Sequence, residues 1–464
     1  MGTQCVMSAY TTTNPTTGKT EREFGSLTAD GVEDVLSRSI AAFDSWRSTS
    51  PADRAAALAR TADLYEQRAD ELAQAITTEM GKPTRQALGE VQLAAAIYRY
   101  YAEHGPDLLQ SETLDVDGAD ESIVQTDPVG PLVGVMPWNY PYYQVARFVA
   151  PNLMAGNTII LKHASICAGS ALLMATQLHE AGVPDDVYIN VFASSDQIAD
   201  MIADPRVRGV SLTGSEAAGA SVAETAGRNL KKAVLELGGS DPFIILDTEN
   251  VEKMARTAAQ ARLSNAGQAC NSPKRFIVPD EYFDDFVQGI TKEFEGATIG
   301  DPLHPDTTVG PLSSVDARDK VVEQVKKAVS QGATLHTGGE AVEGDGAFMS
   351  PAVLTGVTKD MDAYSEEIFG PVAMVYRVSS VDEAVALAND VDFGLSGSVW
   401  GTDLDEARDV ADQLEVGMAY INEHGTTLPG LPFGGVKRSG FGRELGRWGM
   451  GEFVNTRLRR TSRR

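Results

Sequence analysis

Three side chains with complementary chemistry are separated by long stretches of the chain. Cys270 ends the segment N-A-G-Q-A-C, in which Gly267 permits a tight turn, and the chain has only three cysteines. Glu236 lies in L-E-L-G-G, and Asn139 follows an apolar segment in P-W-N. A thiol nucleophile, a carboxylate base and an amide that donates to an oxyanion make up a covalent acyl-transfer site. We therefore predict that the fold brings Cys270, Glu236 and Asn139 together.

The middle of the chain alternates between strand and helix patterns. The predicted strands cover residues 132–136, 158–161, 187–192 and 209–212. Strand, helix, strand in this order is typical of a doubly wound parallel sheet, in which ligands bind where strands end and helices begin. Asn139 follows the first strand, and the glycine-containing segment 213–219 follows the fourth. A second α/β segment is predicted from residue 243 onwards.

The flanking segments are predicted to have other structures. Residues up to about 110 have the periodicity of amphipathic helices, and one helix that begins at Ser50–Pro51 is predicted to continue to Gly81. Residues 111–128 are polar and contain D-V-D-G-A-D, which predicts a projecting hairpin. The C-terminal segment E-F-V-N-T-R-L-R-R is predicted to be a strand that pairs with this hairpin or with another subunit.

The composition excludes several classes of partner. The chain has 464 residues, too many for one ordinary core, and 39 basic against 65 acidic side chains give a net charge of −26. This charge repels nucleic acids and anionic membranes, and no apolar run approaches the length of a membrane span. The acidic excess favours a surface adapted to high salt, with ordinary solubility as the alternative explanation.

The cysteines and histidines indicate neither a disulfide framework nor a metal. Cys5, Cys167 and Cys270 are too few for a disulfide scaffold, and the N-terminal segment lacks the pattern of a secretory signal, so we expect a cytoplasmic protein. Cys5 and Cys167 are interpreted as structural residues. None of the six histidines stands at a metal-ligand spacing, and no metal site is predicted.

A series of motifs runs in order along nearly the whole chain. They are P-W-N-Y-P, I-L-K-H-A-S, S-L-T-G-S-x-x-x-G, L-E-L-G-G, N-A-G-Q-A-C, E-E-I-F-G-P and P-F-G-G-V-K-R-S-G. Together they resemble the NAD(P)-dependent aldehyde dehydrogenase superfamily, and within it the succinate-semialdehyde dehydrogenases. The resemblance implies an α/β fold with three parts and a homodimer or homotetramer. The parts are a doubly wound cofactor domain (residues 1–110 and 130–238), an α/β catalytic domain (239–425), and a small β oligomerisation ribbon with the C-terminal segment (111–129 and 426–464).

The resemblance also implies roles for single residues. Cys270 is the expected nucleophile, Asn139 the oxyanion donor and Glu236 the base that hydrolyses the thioester. Cofactor contacts are expected from Pro137, Trp138, Lys162, Ser165, Thr213, Gly214, Ser215, Gly219, Leu237, Glu367 and Phe369. Arg147 is expected to bind the distal carboxylate of succinate semialdehyde, because guanidinium suits that contact, and the alternative is a solvated helix arginine.

Ser165 bears on the choice of cofactor. NAD-preferring relatives often have a glutamate at this position, and a carboxylate there binds the ribose 2′-hydroxyl but repels a 2′-phosphate. Serine removes that repulsion, so we predict NADP as the cofactor, with NAD as the alternative.

The expected reaction is oxidation of an aldehyde to a carboxylic acid, with succinate semialdehyde as the leading substrate. Other aliphatic or aromatic aldehydes are alternatives. A coenzyme A-acylating enzyme is a further alternative that Glu236 argues against, since acylating relatives tend to lack this carboxylate. A non-enzymatic relative is the last alternative, and the joint presence of Cys270, Glu236 and Asn139 argues against it.

Overall fold

The computed structural model describes residues 10–462, so Cys5 and the N-terminal segment discussed above lie outside the described residues. The strands are β1 (Tyr10–Asn14), β2 (Lys19–Phe24), β3 (Glu112–Thr113), β4 (Ala119–Pro128), β5 (Pro131–Met136), β6 (Thr158–His163), β7 (Tyr188–Asn190), β8 (Gly209–Thr213), β9 (Lys232–Glu236), β10 (Pro242–Ile245), β11 (Arg275–Pro279), β12 (Thr334–Thr337), β13 (Ala352–Thr355), β14 (Val372–Val378), β15 (Phe393–Gly394), β16 (Ser396–Trp400), β17 (Met418–Ile421), β18 (Val436–Lys437), β19 (Gly440–Phe441) and β20 (Val454–Ser462). The helices are α1 (Ala29–Trp46), α2 (Pro51–Gln67), α3 (Ala69–Met80), α4 (Thr84–Leu108), α5 (Pro141–Ala155), α6 (Ala168–Glu180), α7 (Ser195–Ala203), α8 (Glu216–Arg228), α9 (Val251–Leu263), α10 (Asp280–Glu295), α11 (Val315–Gln331), α12 (Asp362–Ser365), α13 (Val381–Asn389), α14 (Leu404–Ala411) and α15 (Gly446–Glu452). Among the described helices, none is both long enough and apolar enough to cross a bilayer.

A six-stranded sheet has the order β19-β9-β8-β5-β6-β7, and all its strands except β19 run parallel. The chain moves outward from β5 to β6 and β7, then crosses to β8 and β9 on the other side of β5. Helices α2 to α6 pack on one face, and α1, α7 and α8 on the other. This confirms the predicted doubly wound sheet, and its switch point lies between β5 and β8, where such folds bind ligands.

A second, seven-stranded sheet has the order β12-β13-β14-β11-β10-β16-β17, with only the edge strand β12 antiparallel. Helices α9 and α10 cover one face, and α13 and α14 cover the other. Apolar side chains fill both interfaces because parallel strands in an α/β sheet are buried on both sides. The predicted second α/β segment is therefore confirmed.

A separate three-stranded sheet joins distant parts of the chain. Strand β20 pairs antiparallel with β4, from Val454 opposite Pro128 to Ser462 opposite Ala119, and β3 pairs with the other edge of β4. Both the predicted hairpin and its pairing with the C-terminal strand are confirmed within one chain. The outer surface of this three-stranded sheet includes Leu458, which is 63% exposed.

Two predictions for the N-terminal region are wrong. The first described residues form a hairpin of β1 and β2 rather than helix, and its Tyr10 and Phe24 pack with Phe192. The predicted helix up to Gly81 is two helices, because Arg68 leaves the helical conformation (φ −111°, ψ 24°) between α2 and α3. Apolar periodicity continues on both sides of Arg68, so the pattern alone could not reveal the break.

Asn157 connects the six-stranded sheet to the three-stranded one. Its side chain is fully buried, and Oδ1 accepts hydrogen bonds from the backbone N–H groups of Val129 (2.8 Å) and Gly130 (3.0 Å). Its Nδ2 donates to the carbonyl oxygen of Phe453 (2.8 Å), just before β20. One amide therefore satisfies backbone groups in both the turn between β4 and β5 and the approach to β20.

We predict that Asn157→Ala lowers the free energy of unfolding by about 2–4 kcal/mol, because it leaves three backbone groups, two of them in buried residues, without this partner. Urea denaturation measures this loss. The matched control is Asn229→Ala, on an exposed side chain after α8, which should change stability by less than about 0.5 kcal/mol. Equal losses in the two variants would contradict the assignment.

Candidate active site

The turn before Cys270 has an unusual backbone. Asn265, Ala266 and Gly267 all have positive φ, at 51°, 52° and 73°. A Cβ on Gly267 would lie 2.3 Å from the carbonyl oxygen of Gly370, so this position requires glycine. Non-glycine residues adopt positive φ at a cost, and such strain persists where the surrounding structure enforces it. The turn leaves the Cys270 side chain half-buried.

Lys274 holds the loop on the other side of the thiol. Its buried ammonium group donates hydrogen bonds to the carbonyl oxygens of Ala269 (3.1 Å), Cys270 (2.8 Å) and Ser272 (3.3 Å). It also lies 3.3 Å from a carboxylate oxygen of Glu367. A buried cation with four oxygen neighbours fixes the nucleophile loop and places positive charge beside it.

The environment of the thiol sets its protonation state. Burial raises the pKa of Cys270 to about 12, while Arg147 and Lys274 lower it and Glu236 raises it. Since only the thiolate attacks carbonyl carbon efficiently, Cys270 in this state needs a base. Glu236, the predicted base, is one of the groups whose charge affects the pKa of this thiol.

Asn139 is buried after the end of β5, as predicted. Its side-chain Nδ2 donates a 3.0 Å hydrogen bond to the carbonyl oxygen of Gln268, in the same loop as Cys270. A carboxamide nitrogen carries two hydrogens, so a second one is available to an oxygen atom of a ligand.

Glu236 is the last residue of β9, and its side chain is buried. Among the described residues, neither carboxyl oxygen has a hydrogen-bond partner. Burial raises the pKa of Glu236 well above its usual value, against the lowering effect of Arg147, and Glu444 raises it further. Gly434 leaves the space for this carboxyl group, because a Cβ there would lie 2.6 Å from Oε1. Burial thus favours the neutral form of the Glu236 carboxyl group.

Arg147 lies in the interior rather than on a solvated surface, so the solvated alternative is wrong. Its guanidinium forms an ion pair with Glu444, donates to Tyr143 Oη (3.0 Å) and Thr213 Oγ1 (3.3 Å), and lies 4.2 Å from the Phe433 ring centroid. Burial opposes its charge, but Glu444 and the other acidic groups around it together outweigh this effect and raise the pKa of Arg147. The predicted contact with a substrate carboxylate stays a prediction, and this geometry does not favour it because an internal carboxylate already occupies the guanidinium.

The predicted pyrophosphate segment lies beside the switch point of the six-stranded sheet. Thr213 ends β8, Gly214 donates its N–H to the Glu236 carbonyl (2.9 Å), and Ser215 caps α8 by accepting from a first-turn N–H. A Cβ on Gly219 would lie 2.6 Å from Leu237, so glycine lets α8 pack closely. Backbone N–H groups at such a helix N-terminus bind phosphate.

The remaining predicted cofactor residues lie on two sides of this crevice. Lys162 is half-buried in β6, burial lowers its pKa, and Ser165 is exposed in the turn that follows. Pro137 and Trp138 follow β5, and the Trp138 ring meets that of Phe369 nearly perpendicularly, with centroids 5.8 Å apart.

Glu367 connects this side of the crevice to the nucleophile loop. Its Oε1 accepts a 3.1 Å hydrogen bond from the Gly239 N–H and faces Lys274. A cation, an exposed serine and a helix N-terminus at one edge of the sheet fit a phosphorylated dinucleotide.

Two charged residues of the site were missed by sequence reasoning. Lys274 holds the Cys270 loop, and Glu444 is the partner of Arg147. Glu444 precedes Leu445, just as Glu236 stands between leucines, and a charged residue in an apolar context was the available signal. Neither contact could be derived from spacing, because each depends on the fold.

The chain matches the model of the aldehyde dehydrogenase family over residues 4–458. It belongs to the aldehyde dehydrogenase family. A succinate-semialdehyde dehydrogenase (NADP+) of Deinococcus radiodurans is 51% identical over 449 residues, which cover 97% of this chain and 94% of that protein. An aldehyde dehydrogenase of Paenarthrobacter nicotinovorans is 44% identical over 457 residues, or 98% of this chain and all of that one.

A solved structure of the family has the same fold. The succinic semialdehyde dehydrogenase of Streptococcus pyogenes, crystallised in complex with NADP+, superposes with a TM-score of 0.96 at 44% identity, over 98% of this chain and 100% of that one. The α/β fold and the assignment as an NAD(P)-dependent aldehyde oxidoreductase are therefore confirmed.

We predict that Arg147→Met lowers the free energy of unfolding by about 3–5 kcal/mol, since Glu444 would remain buried without its cation. Adding Glu444→Gln should recover part of this loss. In an initial-rate panel, Arg147→Met should slow the oxidation of acidic and neutral aldehydes to similar extents. Loss restricted to acidic aldehydes would contradict this and support the contact with a substrate carboxylate.

Proposed function

We propose that the enzyme oxidises succinate semialdehyde to succinate, with NADP as hydride acceptor and a thioester on Cys270 as intermediate. The support for this substrate is the identity of 51% with a relative named for it. The observation that carries the chemistry is that the Cys270 loop packs against the segment just after Glu236, since a Cβ on Gly239 would lie 2.6 Å from the Cys270 carbonyl oxygen. Asn139 is hydrogen-bonded to the loop that carries this thiol.

Cys270 begins the reaction by giving its thiol proton to the ionised form of Glu236, and its sulfur then bonds to the aldehyde carbon. The carbonyl electrons move to oxygen, and this oxyanion accepts hydrogen bonds from the Asn139 amide and the Cys270 backbone N–H. Bound NADP would supply the hydride acceptor, and loss of hydride from this carbon would form the carbonyl again as a thioester on Cys270. Glu236 releases its proton to solvent, takes one from an attacking water, and the carbon–sulfur bond breaks to free the acid and the thiolate.

The raised pKa of Glu236 favours hydrolysis of the thioester. A general base works best when its pKa lies near the working pH, and burial moves the pKa of Glu236 upward from 4.5, in that direction. A carboxyl group with unpaired oxygens also leaves room for a water molecule. These features disfavour coenzyme A as the acyl acceptor and disfavour a role without catalysis.

NADP is the proposed cofactor because the crevice offers cationic and hydroxyl groups where a 2′-phosphate would lie. Lys162 and Ser165 would bind the adenosine ribose and its phosphate, and the segment from Thr213 to Gly219 would bind the pyrophosphate. Glu367 and Phe369 would hold the nicotinamide ribose and ring. The solved relative with NADP+ bound supports the same choice.

A neutral aliphatic or aromatic aldehyde is the second candidate substrate. A groove of about 180 Å³ beside the site is lined by Tyr420, Leu428, Leu431 and Phe433, with no charged side chain among the residues around it. Tyr143, which contacts Arg147, donates to Thr427 of the same groove at 3.4 Å. Such a lining favours an apolar substrate tail over a carboxylate.

The three-stranded sheet supports a homodimer or homotetramer. Strand β20 is exposed along nearly its whole length and carries Leu458 on its surface. An exposed apolar side chain on a long edge strand is typical of a surface that a second chain covers. We also propose the cofactor, catalytic and ribbon regions with the boundaries given above, and a cytoplasmic location.

Glu236→Gln tests the proposed reaction. We predict that the variant lowers steady-state turnover at least ~100-fold and also slows formation of the first NADPH, because both the thiol and the attacking water lose the base that accepts their protons. Stopped-flow absorbance measures both phases, and Glu224→Gln, on exposed α8, is the control. In the unmodified enzyme, turnover should fall as pH falls through a value above 4.5, where the raised pKa of Glu236 lies. Unchanged turnover, or dependence on coenzyme A, would contradict the reaction.

The cofactor assignment is tested separately with Ser165→Glu. We predict that this variant lowers kcat/KM for NADP at least ~10-fold relative to NAD, because the new carboxylate repels a 2′-phosphate. Ser221→Glu adds the same charge on exposed α8 and should leave the ratio unchanged. If the unmodified enzyme already favours NAD strongly, the assignment of NADP is wrong.

For the oligomer, we predict that Leu458→Glu lowers the molecular mass measured by sedimentation velocity, because a buried charge destabilises an apolar interface. The control is Leu230→Glu, at a side chain that is 96% exposed and far along the chain from β20. A monomer in the unmodified protein would contradict the proposed assembly.

A further inference from the structure

A buried ion pair lies behind the oxyanion donor. Lys82, between α3 and α4, is paired with Glu90 of α4, and each side chain is only 1% exposed. Removing two charges from water is costly unless further hydrogen bonds satisfy them. The proposed reaction uses neither residue, so the remaining contacts of the pair indicate what it does.

Glu90 caps the helix that follows Asn139. Its Oε1 accepts hydrogen bonds from the backbone N–H groups of Tyr142 (2.8 Å) and Tyr143 (3.3 Å), in the first turn of α5. The residue at the cap position of α5, Tyr140, makes no side-chain cap. A carboxylate from another helix therefore satisfies the free N–H groups and complements the positive end of the helix dipole.

Lys82 holds the other side of the same segment. Its Nζ donates a 2.9 Å hydrogen bond to the backbone carbonyl oxygen of Asn139 and lies 3.6 Å from the Tyr140 ring centroid. Asn265, from the strained turn before the nucleophile, donates to the same carbonyl at 3.0 Å. The main chain of Asn139 is thus fixed between the ion pair and the nucleophile loop.

We propose that Lys82 and Glu90 are positioning residues for the oxyanion donor. Lys82 fixes the carbonyl of Asn139, Glu90 fixes the helix turn after it, and together they aim the Asn139 carboxamide at the oxygen of the substrate. The inference rests on the proposed role of Asn139. It adds two residues that touch neither substrate nor cofactor, and whose effect must pass through that one side chain.

A double-mutant cycle tests this dependence. Asn139→Ala should lower kcat about 10²–10³-fold, the usual loss for one oxyanion donor. Lys82→Met should lower kcat about 10- to 100-fold in the unmodified background, since small displacements of a catalytic group have effects of this size. In the Asn139→Ala background, Lys82→Met should lower kcat less than about twofold, because the group that it positions is already gone.

Three further measurements separate positioning from general damage. Lys82→Met should leave the affinity for NADP and the alkylation rate of Cys270 by iodoacetamide within about twofold of the unmodified enzyme, since Lys82 contacts neither site. If Lys82→Met does not fold, Lys82→Met combined with Glu90→Gln replaces it in the cycle, because glutamine keeps an acceptor for the α5 N–H groups. The control is Arg99→Met, which removes ion pairs to Asp63 and Glu66 on the outer side of α4 and should leave kcat unchanged.

The outcomes are distinct. Equal losses from Lys82→Met in both backgrounds, or parallel losses of Cys270 alkylation and kcat, would overturn the positioning role while leaving the proposed function intact. An unchanged kcat in Asn139→Ala would overturn the proposed role of Asn139 and, with it, this inference.

Discussion

The ion pair between Arg147 and Glu444 is the interaction on which the arrangement of the active centre depends. Two buried carboxyl groups, Glu236 and Glu444, and the half-buried thiol of Cys270 interact electrostatically with the guanidinium of Arg147. Glu444 forms the direct ion pair, so the remaining effect of Arg147 on Glu236 is too weak to offset burial, and the pKa of Glu236 stays raised. One cation thereby offsets part of the cost of burying this cluster, and the pKa values of Glu236 and Cys270 remain raised. This arrangement suits a site in which the Cys270 thiol must pass its proton to Glu236 before the sulfur attacks.

The C-terminal segment returns to the six-stranded sheet and brings Glu444 to the active centre. Strand β19 pairs with β9, so that Gly440 lies opposite Glu236. Ser439 joins the segment after β9 to strand β15, because its hydroxyl donates to the Gly238 carbonyl (2.7 Å) and accepts from the Gly394 N–H (3.0 Å). Cys270 comes from one side of this junction and Glu236 from the other. Glu444, the partner of Arg147, comes from the segment that follows β19. The active centre thus takes its residues from segments that are distant along the chain.

Much of this arrangement could be predicted from the sequence, and the limits have physical causes. The strands around the switch point were predictable because parallel strands buried on both faces are short apolar runs. Cys270, Glu236 and Asn139 were identifiable because their motifs carry chemistry and resemble those of a known family. The break at Arg68 was hidden because apolar periodicity persists through it. The pairing of Arg147 with Glu444 was not predictable, because only the fold brings these two distant residues together. The sequence shows that a residue is an arginine but not which carboxylate it contacts.

The central claim is that the pKa of Glu236 is raised, because burial outweighs the lowering effect of the Arg147 guanidinium, which is paired with Glu444. Infrared difference spectroscopy of the protein against its Glu236→Gln variant, recorded across a pH titration, measures this directly. The account predicts a carboxylic acid carbonyl band from Glu236 that persists where surface carboxylates are already ionised, and that disappears only as the pH is raised further. A band that disappears near 4.5, the ordinary pKa of glutamate, would contradict the account.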